Sequence, residues 1–270
     1  MILNAVEVQQ VFTRLKQQKP VVHQLTNYVT AGDCANIALC FGASPIMADA
    51  AEEMGEITSS ADCLILNLGT LNGVKLSSME IAALTARKNQ IPVLIDPVGV
   101  MASNMRLQAA LELITAGVSI VRGNYAECWT LYTQKRQGRG VDSVVPLKDI
   151  GGLALAAAQK YGCVFAITGQ VDAISDGTQV LVLQNGHELL TRITGAGCMS
   201  TTLIGCVAGV TDNMFLAATC GLGTMNIAAE IAAAQLQSGE GPGTFKVRLL
   251  DAVAALTAEN LLQKLVLKSE

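Results

Sequence analysis

The stretch "IPVLIDPVGVMASNMRLQAALELITAGVSIVRGN", residues 91–124, decides the fold. It opens on an unbroken apolar run, turns at Pro97 and Gly99, repeats apolar residues at helical spacing over 103–115, and closes on a second apolar run that ends in Arg122 and Asn124. A short run without polar alternation reads as a strand covered on both faces. Two such runs joined by a helix read as parallel neighbours linked by a crossover.

The same alternation extends in both directions. Helical patterns near 5–17, 31–41, 50–60, 75–89, 125–134 and 148–160 are interleaved with "PVVHQL" at 20–25, "CLILNLG" at 63–69 and "CVFAITG" at 163–169. This predicts an α/β protein: three α/β/α layers, a central, mostly parallel sheet, and helices on both faces. After Gly169 the pattern changes. Asp176-Gly177 and Asn185-Gly186 separate runs of strand formers and read as hairpin turns, which predicts antiparallel strands at one edge. From Cys198 the chain reads as helical to its end, with "EGPGTF" at 240–245 as a loop. No linker or repeat divides residues 1–270, so one domain is expected.

Composition narrows the function classes. Apolar residues make up 51% and aromatics only 4%, so Ala, Leu, Ile and Val must fill the core. A net charge of −4 without a basic stripe argues against a nucleic-acid partner. The first residues lack a basic stretch followed by an apolar one, and a cytoplasmic location is expected. The apolar region 201–234 is interrupted by Thr211, Asp212 and Asn213, so it reads as two buried helices and no membrane partner is expected. The eight cysteines show no C-x-x-C pairing and read mostly as small core residues.

Polar residues follow each central strand: Asn67 and Gly69, Asp96 and Gly99, Arg122, Asn124 and Glu127, then Thr168 and Gly169. Each alone could be a turn former or a helix cap. Together they fall on the carboxyl rim of a parallel sheet, where ligands bind. Arg122 can fork onto phosphate oxygens, and Asp96 with Glu127 can hold Mg²⁺ directly or through water. In "RITGAGCMSTTLIG", residues 192–205, the glycines precede an apolar helix. The backbone N–H groups of Gly195, Ala196, Gly197 and Cys198 would then face an anion. This set suits phosphoryl transfer. No G-x-x-x-x-G-K-[ST] is present, and "GAGCMS" carries only part of a dinucleotide fingerprint.

Taken together, "HQLTN" at 23–27, "FGASPIMADAAEEM" at 41–54, "LNLGTL" at 66–71, "IDPVG" at 95–99, "RGNYAE" at 122–127, "ITG" at 167–169, "TGAGC" at 194–198 and "GPGTF" at 241–245 resemble the hydroxyethylthiazole kinases of thiamine salvage, within the ribokinase-like superfamily. The resemblance runs from about residue 21 to about 250. It implies a ribokinase-like fold that phosphorylates 4-methyl-5-(2-hydroxyethyl)thiazole with ATP and Mg²⁺. It also implies nucleotide contacts at Arg122 and Thr168, metal carboxylates at Asp96 and Glu127, thiazole contacts at Met47 and the Gly195 backbone, and Asn27 near the substrate. Members form homotrimers with the thiazole site between subunits. The chain departs from the commoner pattern at 28–36 and 100–105.

Cys198 stands where most ribokinase-like kinases carry an aspartate base. A thiol at a helix N-terminus is expected to ionise more readily than a free one, which would make Cys198 a modest base. The alternatives are a packing role, or a covalent nucleophile served by His23 or by His187, the latter expected in an exposed turn. A binding protein that has lost turnover and a hydroxymethylpyrimidine kinase are the remaining rivals. Trp129 and Tyr132 are expected to pack behind Glu127, and Thr244 to cap the last helix. "GPGTF" is expected to close over the site or to form a trimer contact.

Overall fold

A computed structural model describes residues 3–135 and 149–269. Among the described residues nine strands form one sheet. They are β1 (Val21–Leu25), β2 (Ser44–Ile46), β3 (Cys63–Asn67), β4 (Val93–Asp96), β5 (Ile120–Asn124), β6 (Val164–Thr168), β7 (Asp172–Ser175), β8 (Val180–Leu183) and β9 (Leu267–Ser269). Their spatial order is β2-β1-β3-β4-β5-β6-β7-β8-β9. Pairing is parallel from β2 to β6 and antiparallel from β6 to β9.

Among the described residues eleven α-helices cover the sheet: α1 (Ala5–Gln18), α2 (Ala31–Phe41), α3 (Met54–Ser59), α4 (Gly73–Lys88), α5 (Asn104–Gly117), α6 (Tyr125–Thr133), α7 (Ile150–Tyr161), α8 (Ala196–Ala208), α9 (Met214–Ala234), α10 (Pro242–Ala255) and α11 (Ala258–Lys264). Side chains alternate across the strands, which creates two cores. Val22, Cys63, Ile65 and Leu94 pack with residues of α1, α2 and α8 to α11. Leu25, Leu64, Leu66 and Ile95 pack with residues of α3 to α7. This is the expected three-layer α/β/α arrangement, and double coverage explains why the strands carry no polar alternation.

Register sets the rim. Asn67 of β3 lies opposite Asp96 of β4, and Asn124 of β5 lies opposite Thr168 of β6. Polar side chains that are far apart in sequence therefore end level with one another. Helix starts are fixed by local chemistry. Ser103 caps α5 through the Arg106 N–H, and Asn124 with Glu127 forms a reciprocal capping box on α6.

Several expectations need correction. Asp176-Gly177 does join β7 to β8, but Asn185-Gly186 is not a hairpin turn. Asn185 is buried, donates to Glu230 and to the Lys264 carbonyl, and accepts from the Val266 N–H. It thereby steers the chain after α11 into β9, a strand where only helix was expected. β2 was also unforeseen, because a three-residue strand is too short to show a period. The 50–60 helix is split, with a 3-10 turn at Ala51–Glu53 before α3. Only the first part of "EGPGTF" is loop, since Pro242 opens α10. Thr244 lies inside the first turn of α10; the last helix is α11, and Thr257 caps it. Residue 148, the first of the predicted 148–160 helix, lies outside the described residues.

The 201–234 region forms two helices, α8 and α9, as expected, yet α9 has 21 residues and is long and apolar enough to cross a membrane. Its residues are instead buried against α8, α10, α11, β6 and β7. The approach to α8 is close. A Cβ on Gly221 would lie 2.5 Å from the Cα and 2.6 Å from the backbone nitrogen of Ile204. Backbone cannot move aside as a side-chain tip can, so Gly221→Ala is expected to cost about 3 kcal/mol by overpacking. Urea denaturation followed by circular dichroism measures it, and an unchanged midpoint would refute the tight contact.

Candidate active site

At the rim the polar residues converge on Asp96. Its carboxylate is wholly buried. Oδ2 accepts from Asn67 Nδ2 at 3.0 Å and from Thr201 Oγ1 at 2.9 Å, and lies 3.8 Å from Arg122 Nη1. Arg122 donates from Nη2 to Thr168 Oγ1 at 2.6 Å. Two buried atoms remain without a partner here, Asp96 Oδ1 and Arg122 Nε. Burial pushes the Asp96 carboxyl up from 3.8 to about 6, against the pull of Arg122 and with the added repulsion of Glu127.

The start of α8 closes the site from the other side of the sheet edge. Gly195 is left-handed with φ 83°, and a Cβ there would meet Thr30 Cγ2 at 2.7 Å. At Gly197 a Cβ would lie 2.5 Å from Arg122 Nη1. Gly195 is therefore required by backbone conformation and by space, whereas a side chain at Gly197 would displace the Arg122 guanidinium from its place at the rim. No side chain caps α8, so the N–H groups of Ala196, Gly197 and Cys198 begin a helix whose positive end is served by no residue of its own.

Cys198 follows in the first turn of α8. Its Sγ accepts from Asn67 Nδ2 at 3.3 Å and from Asn27 Nδ2 at 3.4 Å. Asn27 also donates to Asn67 Oδ1. The expectation of an easily ionised thiol is reversed. Burial pushes the Cys198 thiol up, Asp96 adds to this, and donors from Thr30, Asn67 and Asn27 only partly offset it. Desolvation by burial is the largest cause and outweighs the donors that surround the thiol.

Neither histidine reaches Cys198 by hydrogen bond. His23, in mid-strand, engages Thr58 Oγ1 with Nδ1 and the Ala48 carbonyl with Nε2. His187 is half-buried rather than exposed. It accepts from the Leu189 N–H and lies beside the Phe245 ring. The covalent reading thus has no base at hand. Trp129 packs between Tyr125 and Tyr132, as expected.

Glu127 has a role that spacing could not show. Its Oε1 accepts from the Gly99 N–H and its Oε2 from the Asn124 N–H, so it ties the turn after β4 to the end of β5. Among the described residues no three His, Cys, Asp or Glu side chains form a cluster for a metal. Beside the rim lies a cleft of about 810 Å³ whose wall includes Gln24, Thr26, Tyr28, Met47, Thr70 and Lys75. The meeting of Asn67 with Asp96 was expected from the rim, but sequence reading missed Thr201 as a partner of Asp96 and Lys75 as a lining residue. Thr201 had one signal, since it follows Cys198 by three positions and shares its face of the helix.

The fold and the rim define a class, the α/β small-molecule kinases of ribokinase-like architecture. A pyridoxal kinase from Staphylococcus aureus in complex with ADP superposes with a TM-score of 0.59 at 15% identity, covering 78% of this chain and 87% of that one, which speaks for the fold alone. Within the class the match is much tighter. The hydroxyethylthiazole kinase family model covers residues 12–259. Hydroxyethylthiazole kinases from Alkaliphilus metalliredigens (42% identity, 97% of each chain) and Clostridium botulinum (39%, 96% of this chain and 94% of the relative) are similar throughout. A hydroxyethylthiazole kinase protein from Pyrococcus horikoshii superposes with a TM-score of 0.89 at 33% identity, over 98% of this chain and 99% of that one. The chain belongs to the hydroxyethylthiazole kinase family.

The Asp96 environment gives a pH-dependent expectation. The folded protein holds a proton between pH 3.8 and about 6 that the unfolded chain has released, so stability falls as pH rises through that interval. Asp96→Asn lacks this titration. Relative to the variant, the wild type is expected to lose about 2 kcal/mol between pH 4 and pH 7. Urea denaturation of both proteins at the two pH values reads the difference, and a constant difference would show that the carboxylate is not destabilised by burial.

Proposed function

We propose that this chain transfers the γ-phosphoryl group of ATP to the hydroxyl of 4-methyl-5-(2-hydroxyethyl)thiazole, with Mg²⁺, as a cytoplasmic enzyme of one domain spanning residues 1–270. The observation that carries the reading is the pair of unpartnered buried atoms, Asp96 Oδ1 and Arg122 Nε, beside the uncapped start of α8. A site with a spare acceptor, a spare cationic donor and free helical N–H groups matches a metal-bound polyphosphate.

Arg122, oriented by Thr168 and Asp96, binds phosphate oxygens together with the N–H groups of Gly195, Ala196, Gly197 and Cys198. The donor set fits Mg²⁺, which is commonly held by one or two carboxylates plus substrate phosphates, so its few protein donors are no obstacle. Asp96 offers Oδ1 directly. Glu127, with each oxygen already accepting a backbone N–H, serves through water or a second lone pair. When bound, the ion neutralises charge on the transferring group.

The thiazole occupies the cleft, against Met47 and the Gly195 backbone, with Asn27 holding Cys198 toward its hydroxyl. A loose transition state requires little deprotonation before transfer, so placement and charge stabilisation supply most of the rate. Only the thiolate of Cys198 can take the alcohol proton. Burial keeps that form scarce, which makes Cys198 a modest base.

Two further features support the assembly and its compartment. Tyr28 (83% exposed) and Val74 (76% exposed) line the cleft, apolar surface that a second copy in a homotrimer would cover. All eight cysteines are free, in keeping with a reducing compartment.

A coupled ADP-release assay tests the reading. Turnover is expected with hydroxyethylthiazole but not with hydroxymethylpyrimidine or without acceptor. Asp96→Ala or chelation of the metal is expected to lower kcat on the order of 100-fold or more. Cys198→Asp, which supplies a ready carboxylate, should keep or raise turnover, whereas Cys198→Ala should lower it. Equal rates for Cys198→Ala and wild type would leave only a packing role, and no thiazole-dependent ADP would overturn the assignment.

A further inference from the structure

Lys75 belongs to α4 yet is almost wholly buried, at 8% exposure. Its Nζ donates to the carbonyl of Thr26, just after β1, and to that of Gly69, just after β3, at 3.3 Å for the latter. An ammonium has three N–H donors, and among the described residues no acceptor takes the third. Lys75 lines the 810 Å³ cleft. So does Gln24, 1% exposed, whose Nε2 is buried without a partner while its Oε1 accepts from Thr202. The cleft wall thus presents a buried cation with a spare donor and an amide with a spare donor. Burial also pushes the Lys75 ammonium down to about 8, with Asp49 and Cys198 opposing that fall and Arg106 adding to it.

We propose that Lys75 is a specificity-determining residue of this cleft, admitting neutral heteroaromatic alcohols that bring a lone pair and rejecting those with a permanent positive charge. The inference rests on the phosphoryl-transfer reading above, because it places the acceptor alcohol in this cleft. A neutral thiazole offers a ring nitrogen that can accept from Lys75 or Gln24. The same ring alkylated on nitrogen offers no lone pair and sets a cation against a buried cation. Asp49 and Glu52 also line the cleft and would attract a cation, but both are exposed at its mouth and screened by water. The buried charge is screened least and dominates.

A purely structural alternative exists, in which Lys75 only ties the ends of β1 and β3 and so holds Asn27 and Asn67 in place. Charge selectivity separates the two. The probes are 4-methyl-5-(2-hydroxyethyl)thiazole and its N-methylthiazolium salt. Wild type, Lys75→Gln and Lys75→Met are compared for binding by calorimetry and for ADP release in the presence of ATP and Mg²⁺. Gln retains a donor for the two carbonyls and guards against a variant that fails to fold.

Wild type is expected to prefer the neutral ring on the order of 100-fold, and both variants to shrink that preference about 10-fold or more, chiefly by gaining affinity for the thiazolium. A preference that stays the same in both folded variants, with both rings weakened equally, would reduce Lys75 to a tie between strands. Wild type that binds the two rings alike would overturn the proposal outright. Binding of the neutral ring without any ADP release would overturn phosphoryl transfer while the binding ratio still decided Lys75. Binding of neither ring would overturn both.

Discussion

The rim is organised around one constraint, a carboxylate that must stay wholly buried at the end of β4. Asp96 carries the cost of desolvation, and its neighbours exist in the positions they do because they offset it. Asn67 arrives from β3 in register, Thr201 from the first turns of α8, and Arg122 from β5. Those three contacts join both cores and the start of α8 at one atom. They also consume only one of the two carboxylate oxygens. The oxygen left over is where the energetic debt of burial becomes available chemistry.

The same economy of partners shapes Cys198. Two asparagine amides converge on its sulfur, and one of them, Asn67, simultaneously serves Asp96. The thiol and the carboxylate are therefore linked through a single side chain, and the charge of one opposes the ionisation of the other. Gly69 shows how closely this is built, since a Cβ there would lie 2.8 Å from Asn27 Cβ and 2.9 Å from Asn67 Oδ1.

Much of this was legible in the amino-acid order. The parallel strands announced themselves as unbroken apolar runs, and "LILN", "VLID" and "VRGN" each closed on a polar residue at the same end. That common ending is why Asn67, Asp96, Arg122 and Thr168 could be expected to meet. What stayed hidden depends on long-range pairing. β2 and β9 are three residues each, and β9 exists because Asn185 grips the backbone near Lys264 and Val266, a contact that spans some eighty positions and leaves no periodic trace. Asn185-Gly186 looked like a hairpin turn by composition, and tertiary contact overrode it. The ionisation of Cys198 was misjudged in direction because a helix end is visible in sequence, whereas the burial of the thiol beside Asp96 is not. Nothing in the sequence singles out Lys75, and only the carbonyls of Thr26 and Gly69 reveal where it points.

Helix α9 has a bearing on how the chain is made. On the ribosome, a 21-residue apolar helix resembles cargo for a membrane, and before it is covered it invites aggregation. Yet α8, β6 and β7, against which it packs, all precede it in the chain. By the time α9 leaves the exit tunnel most of its docking surface has already been synthesised, and α10 and α11 remain to follow. The order of the elements shortens the interval in which this helix is exposed to targeting factors and chaperones.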